Sequence, residues 1–141
     1  MASDRTLRIS AAGFAVVFCF VVALGYVPAF NVTVAKERML FGLFMLSPLD
    51  DITHGLTAVA AAAAALHSGR AARLFFTAFG WYYALDAVFF LCYGTVNDKP
   101  WLADVLLNLP HVAISSVMLA LAYGVRRPAA DPVTAVRPRA A

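Results

Sequence analysis

Residues 11–27, AAGFAVVFCFVVALGYV, form a long apolar run without one charged side chain. The uncharged stretch extends on both sides, over residues 9–35. About 20 consecutive apolar residues are enough to span the hydrocarbon core of a bilayer as a helix. The run therefore predicts a first transmembrane helix that ends near Tyr26 and Pro28. Residues 23–25 loosely resemble a signal-peptidase site, so cleavage of this helix stays an open alternative, although the apolar run continues beyond them.

Three further stretches have the same apolar character. They lack charged side chains, apart from one aspartate, and they cover residues 52–69, 74–94 and 105–125. The aspartate is Asp86, well inside the second of these stretches. Together the four stretches predict an all-α fold, a four-helix transmembrane bundle that forms a single domain over residues 1–127.

The overall composition supports an integral membrane protein. The chain is 62% hydrophobic and 13% charged, with two cysteines, whereas soluble domains contain about 45–50% apolar and about 25% charged residues. A soluble domain of this size has too much surface to bury so many apolar side chains. The same composition excludes a disordered chain and a disulfide scaffold. Nucleic-acid binding is also disfavoured, because the basic residues form no continuous stripe.

The basic residues divide unequally between the two sides of the predicted membrane. Most of the 11 Lys and Arg residues belong to one side, namely Arg5, Arg8, Arg70, Arg73, Arg126, Arg127, Arg137 and Arg139. The opposite side has Lys36, Arg38 and Lys99. Because Lys and Arg concentrate in cytoplasmic loops, we expect a multi-pass protein of the inner (plasma) membrane with both termini cytoplasmic. Residues 128–141 lack hydrophobic periodicity and are expected to form a disordered cytoplasmic tail.

Both outer loops contain short apolar pieces. Residues 39–46 are too few to span a bilayer, so they predict an interfacial or re-entrant helix. Residues 102–107 form a second such piece, preceded by Trp101, a residue type that anchors at the headgroup level. We therefore expect short interfacial helices in the outer loops.

The two halves of the chain resemble each other where the second and fourth helices are expected to begin. The sequences there are Asp51-Ile-Thr-His54 and Asn108-Leu-Pro-His111. Asp51 and Asn108 are residue types that cap helix N-termini, and a histidine follows three residues later in both. Two hairpins that run in the same direction predict a pseudo-twofold axis along the membrane normal.

These motifs give the chain a family resemblance. A capped histidine that opens the second and fourth helices of a small four-helix membrane protein resembles the bacterial proteins catalogued as domain of unknown function 4383. The resemblance covers roughly residues 8–127. It implies the four-helix topology, and it implies no mechanism.

Three side chains are candidates for chemistry. His54 and His111 are expected near the outer surface, where each either bonds a neighbouring group or binds a metal or a haem, since neutral imidazole is a ligand for both. Asp86 is costly at membrane depth, by about 2.5–3.5 kcal/mol, and should face the bundle interior. There it either fixes helix packing or binds a proton or cation. No Lys or Arg lies inside an apolar run, so a buried salt bridge to Asp86 is not expected.

These candidates predict a polar pocket that opens to the outer face, with His54 and His111 at its rim and Asp86 at its floor. The chain has no phosphate-binding loop, nucleophile elbow or His-Glu-x-x-His motif. The leading hypothesis is therefore a non-catalytic accessory or partner-binding membrane subunit, in contact with the lipid bilayer and with a protein partner or a second copy. The alternatives are a haem- or metal-binding redox protein that uses His54 and His111, and a proton-linked small-solute carrier that uses Asp86.

Overall fold

A computed structural model describes residues 4–34, 37–42, 44–45, 47–96 and 101–124. Four long helices make up most of the described chain, and they are α1 (Asp4–Gly25), α2 (Pro48–His67), α3 (Gly69–Val96) and α4 (Trp101–Gly124). The prediction of four helices is confirmed. The predicted tail, residues 128–141, lies outside the described residues.

Two of the described helical segments have the length and the composition needed to cross a membrane. They are Asp4–Gly25 and Gly69–Cys92. The first contains residues 11–25 of the first apolar run. The second contains Asp86.

A small antiparallel sheet connects α1 to α2. After a short 3-10 turn at Pro28–Phe30, its strands are β1 (Asn31–Val34), β2 (Glu37–Leu40) and β3 (Phe44–Met45), in the order β1-β2-β3. The expected interfacial helix at residues 39–46 is therefore wrong. Phe41 and Gly42 have φ values of 55° and 69°, and this left-handed backbone reverses the chain between β2 and β3, where a helix cannot continue.

The second expected interfacial helix is also wrong as a separate element. Residues 102–107 belong to α4, which begins at Trp101 and runs to Gly124 without a break. Pro110 consequently lies inside the helix instead of in its first turn. Its ring nitrogen cannot donate to the carbonyl of Leu106, so α4 lacks one backbone hydrogen bond there.

Neither predicted cap residue caps its helix. At α2 the cap is Ser47, whose hydroxyl accepts a hydrogen bond from the amide of Asp50 at 3.2 Å, while Asp50 Oδ2 accepts from the amide of Ser47 at 2.9 Å. This reciprocal pair is a capping box with an aspartate in the third position. Asp51 is instead buried, and Asn108 lies inside α4 and is buried too.

The helices pack in a definite order. α1 packs chiefly on α2 and α3 chiefly on α4, with further contacts from α3 to α2 and to α1. Close approach is possible because the contact residues are small: a Cβ atom on Gly80 of α3 would lie 2.9 Å from Cδ2 of Leu119 in α4. The core is accordingly rich in alanine, with a few large side chains such as Phe18, Phe76 and Tyr83.

The buried positions follow one another at the same spacing in α2 and α4. The corresponding buried pairs are Asp51 and Asn108, Ala58 and Ser115, Ala61 and Met118, and Ala65 and Ala122. Buried residues of α1 and α3 also correspond in pairs, with a different constant separation along the chain. Those buried pairs are Leu7 and Ala72, Ala11 and Phe76, and Phe18 and Tyr83.

Two arginines near the starts of α1 and α3 correspond to each other in the same way as these buried pairs. Arg8 of α1 donates through Nε to the carbonyl of Ala65 at 2.7 Å, near the end of α2. Arg73 of α3 donates to the carbonyl of Ala122, near the end of α4. Both arginines thus bond backbone carbonyls of the last helical turns, which have no partner inside their own helix.

Candidate functional site

His111 and Asp86 are in direct contact between α4 and α3. Nδ1 of His111 lies 3.3 Å from Oδ2 of Asp86, and about a quarter of each side chain is exposed. The geometry is that of an electrostatic contact without a hydrogen bond, since this Nδ1 atom is buried and has no hydrogen-bond partner among the described residues. No Lys or Arg partner was expected for Asp86, and the basic side chain in contact with it is a histidine.

The two histidines belong to a series of aromatic rings to which each helix contributes one member. His54 of α2 lies 5.6 Å from Phe18 of α1, measured between ring centroids. Phe18 stacks on Tyr83 of α3 at 5.6 Å, and Tyr83 stacks on His111 of α4 at 5.8 Å. Such ring contacts contribute about 0.5–1.5 kcal/mol each beyond area burial. We call these four residues the ring series.

Tyr83 also forms a hydrogen bond whose direction can be deduced. Its hydroxyl lies 2.8 Å from Oγ1 of Thr57, and Oγ1 of Thr57 donates to the carbonyl of Thr53 at 2.8 Å. A threonine hydroxyl has one hydrogen, which the Thr53 carbonyl occupies. Tyr83 is therefore the donor to Thr57, and this bond joins α3 to α2 inside the bundle.

Four titratable side chains are within electrostatic range of the His54 ring, those of Asp50, Asp51, Asp86 and His111. Nδ1 of His54 is buried and has no hydrogen-bond partner among the described residues. The structure thus brings the three sequence-predicted residues, His54, Asp86 and His111, into one cluster. The prediction that this cluster binds a ligand is not tested by the geometry.

The predicted depth of Asp86 below the histidines stays a prediction. The Asp86 side chain is in contact with His111, since its Oδ2 lies 3.3 Å from Nδ1 of His111. Two apolar grooves occur elsewhere on the described part of the bundle, one between α1 and α2 and one between α2 and α3. Neither groove is lined by a member of the cluster. The two histidines therefore do not rim either of these depressions.

The geometry does not favour a metal or a haem held by the two histidines. Within the described residues, no group of three or more His, Cys, Asp or Glu side chains is placed to hold a metal ion. A bis-histidine haem needs both imidazoles directed at one iron from opposite sides. Here each imidazole packs against an aromatic ring, His54 on Phe18 and His111 on Tyr83. A haem between them would have to displace these buried rings.

A second polar cluster holds the sheet against the helix ends, and sequence reasoning missed it. Arg38 of β2 lies 2.6 Å from Oδ2 of Asp51 and donates to the carbonyl of Gly25 at 2.9 Å. Tyr26 donates to the same Asp51 oxygen at 3.0 Å, and the Arg38 guanidinium lies 5.0 Å from the Tyr26 ring centroid. Asp51 is only 8% exposed. The sequence places the opposite charges of Arg38 and Asp51 on the same predicted side of the membrane. Their pairing, however, depends on the register of the sheet.

Comparison with known proteins identifies no relative. No family model matches the chain, and no curated protein or solved structure matches it either. The function of the protein is therefore inferred from its own residues.

Proposed function

We propose that this chain is a small integral membrane protein without a catalytic site, which acts by associating with other helices in the inner membrane. The observation that supports this proposal best is the outward surface of the helices. Large apolar side chains are exposed on all four of them, for example Val16, Val59, Leu85 and Val117.

Such a surface suits lipid and does not suit water. The exposed fraction reaches 69% for Val59 and 80% for Leu66 on α2, and 68% for Leu74 on α3. Soluble monomers rarely expose apolar patches larger than a few hundred Å². In a bilayer the same side chains contact acyl chains, and the helices satisfy their own backbone hydrogen bonds. We propose that all four helices span the membrane and that both termini are cytoplasmic.

Association is favoured by the groove between α1 and α2. Its lining is almost entirely apolar and mostly small, with Ala15, Val16, Cys19, Phe20, Ala23, Ala58, Val59 and Ala62. In lipid, helices associate where small residues let backbones approach closely, because apolar surface gains little by leaving an apolar solvent. We propose that a helix of a partner protein or of a second copy packs into this groove.

We also propose that the bundle consists of two similar helical hairpins, α1–α2 and α3–α4. The matched buried positions support this repeat, and so do the matched hydrogen bonds from Arg8 to Ala65 and from Arg73 to Ala122. The central pair of the ring series, Phe18 and Tyr83, then lies beside the pseudo-twofold axis. The resemblance to the proteins of domain of unknown function 4383 accords with this topology and stays a prediction.

Cross-linking from the groove tests the proposed association. A light-activated, thiol-reactive cross-linker attached at Cys19, in native membranes of a Cys92→Ser variant, is expected to give a covalent adduct. A product of twice the monomer mass would identify a second copy, and another mass would identify a different protein. The measurement is the size and composition of the adduct on denaturing gels.

The matched control is a Cys19→Ser variant, in which Cys92 is the exposed thiol. Equal adducts from both variants, or none from Cys19, would contradict docking in the groove.

The same membranes test the topology. A cysteine introduced at position 99 should be labelled from outside the intact cell. A cysteine introduced at position 68 should be labelled only after the cell is permeabilised. Carbonate washing should not extract the protein from the membrane.

A second candidate function is favoured by the contact between Asp86 and His111. A carboxyl group and an imidazole can each gain or lose a proton, and here they are in contact between α3 and α4. His54 is within electrostatic range of Asp86. Intramembrane carboxylates and histidines often form proton pathways. We propose on this ground that the cluster binds a proton, as a proton-linked small-solute carrier would require.

Replacing Asp86 by asparagine tests this candidate. Asparagine keeps the shape of the side chain and cannot titrate, so the variant should lose one pH-dependent carboxyl stretching band in the infrared spectrum of the reconstituted protein. A His111→Gln variant should keep the band and change the pH at which it titrates. A band that persists in Asp86→Asn, or a titration unaffected by His111→Gln, would rule out the pair. A Soret band of the purified protein would instead favour the haem alternative.

A further inference from the structure

Among the described residues, four arginines lie at the end of the bundle where α1 begins. Arg5 and Arg8 occupy the start of α1, and Arg70 and Arg73 occupy the start of α3 at the same spacing. The second arginine of each pair bonds carbonyls of a neighbouring helix: Arg8 bonds Ala65 and Arg73 bonds Ala122. These two arginines have a structural role, since they hold the ends of α2 and α4.

The first arginine of each pair has no such role. Arg5 and Arg70 are both exposed. Within the described part of the chain, neither guanidinium takes part in a hydrogen bond or an ion pair. Each stands three residues before its structural counterpart and therefore lies on nearly the same face of its helix. Among the residues that the structure describes, these two guanidinium groups therefore have no partner.

The starts of α1 and α3 lie side by side, which brings the two arginines into one region. The carboxyl group of Asp4 occupies the space that a Cβ atom on Gly69 would need, so these two residues are in contact. Arg5 and Arg70 are the next residues along their helices. Among the described charged residues of α1 and α3 at this end, one aspartate stands against four arginines, and the region has a net positive charge.

We propose that Arg5 and Arg70 bind the phosphate groups of anionic phospholipids at the cytoplasmic face of the membrane. The inference rests on the proposed membrane location. Guanidinium groups bind phosphate in a bidentate manner and hydrate more weakly than ammonium groups. Anionic lipids of the cytoplasmic leaflet attract basic residues near the surface by about 1 kcal/mol each. The repeat gives each hairpin one lipid-binding arginine and one structural arginine.

Lipid titration of the full-length protein in a neutral detergent tests the proposal. The probes are fluorescent phosphatidylglycerol, phosphatidylcholine and, in a separate arm, inorganic phosphate. Arg5→Gln or Arg70→Gln alone should lower the affinity for phosphatidylglycerol about fivefold, and both together about 30-fold. Phosphatidylcholine binding should not change.

The matched control removes two positive charges from the loops that the sequence assigns to the opposite side of the membrane, in a Lys36→Gln and Lys99→Gln double variant. Its affinity for phosphatidylglycerol should equal that of the unmodified protein. An unchanged affinity in the Arg5 and Arg70 double variant would overturn the proposal, as would inorganic phosphate that competes as strongly as the lipid. Carbonate extraction distinguishes a failure of the lipid site from a failure of the proposed membrane location. If the protein stays in the membrane but its affinity for phosphatidylglycerol does not depend on Arg5 and Arg70, only the lipid site is refuted.

Discussion

Replacing Tyr83 by alanine is expected to lower the free energy of unfolding by about 3–5 kcal/mol, the cost of removing a large aromatic side chain from a packed core. Tyr83 is only 1% exposed. Its ring stacks on both Phe18 and His111, and its hydroxyl donates to Thr57. The substitution would leave a cavity at the point where α1, α2, α3 and α4 all contribute a ring or a hydrogen bond. Unfolding by denaturing detergent, followed by circular dichroism in mixed micelles, measures the loss.

The neighbouring residue provides the control for this experiment. Tyr82 has the same chemistry but is 46% exposed, so Tyr82→Ala should cost well under half as much. Tyr83→Phe isolates the hydroxyl and should cost about 0.5–1.5 kcal/mol, the net contribution of one hydrogen bond. Equal losses from Tyr82→Ala and Tyr83→Ala would show that the ring series does not form the core.

Replacing Arg38 by alanine is expected to cost about 1–3 kcal/mol, because it leaves the buried Asp51 carboxylate without its charged partner. The pair is close, at 2.6 Å, but Arg38 is 32% exposed, so part of its charge is screened by solvent. The sheet should also loosen from the end of α1, since Arg38 donates to the carbonyl of Gly25. Thermal unfolding and protease sensitivity between α1 and α2 measure both effects.

A double-mutant cycle separates the ion pair from the rest of the Arg38 contacts. Asp51→Asn removes the charge that Arg38 compensates, so the double variant should be more stable than the sum of the two single losses predicts. Strict additivity would mean that the two side chains do not interact. The cycle also tests the finding that Asp51 is a buried partner of the sheet and not a helix cap.

The helices were predictable because the absence of charge over some twenty residues is a property of the sequence alone. Their beginnings were less predictable. The predicted cap at Asn108 placed the start of the fourth helix there, whereas α4 begins at Trp101. The sheet could not be predicted, because strands this short are defined by their partners. Leu40 pairs with Asn31 on one side and with Phe44 on the other.

The candidate site was predictable in its members and not in its arrangement. His54, Asp86 and His111 stand out in the sequence as polar residues among apolar ones. Their contacts depend on how each helix is rotated about its axis, which a short polar pattern does not determine. The sequence likewise does not indicate that Tyr83 lies between Phe18 and His111, as the structure places it.

The two proposed hairpins differ at the position that Asp86 occupies in the second of them. Three residues after Tyr83 stands Asp86, and three residues after the matching Phe18 stands Val21. His111 consequently has a carboxylate on its own hairpin, and His54 has none at the equivalent position. If one ancestral hairpin was duplicated, only the second copy carries an acid at this position. The acid then lies off the proposed symmetry axis, so the two histidines have different surroundings although the two hairpins are built alike.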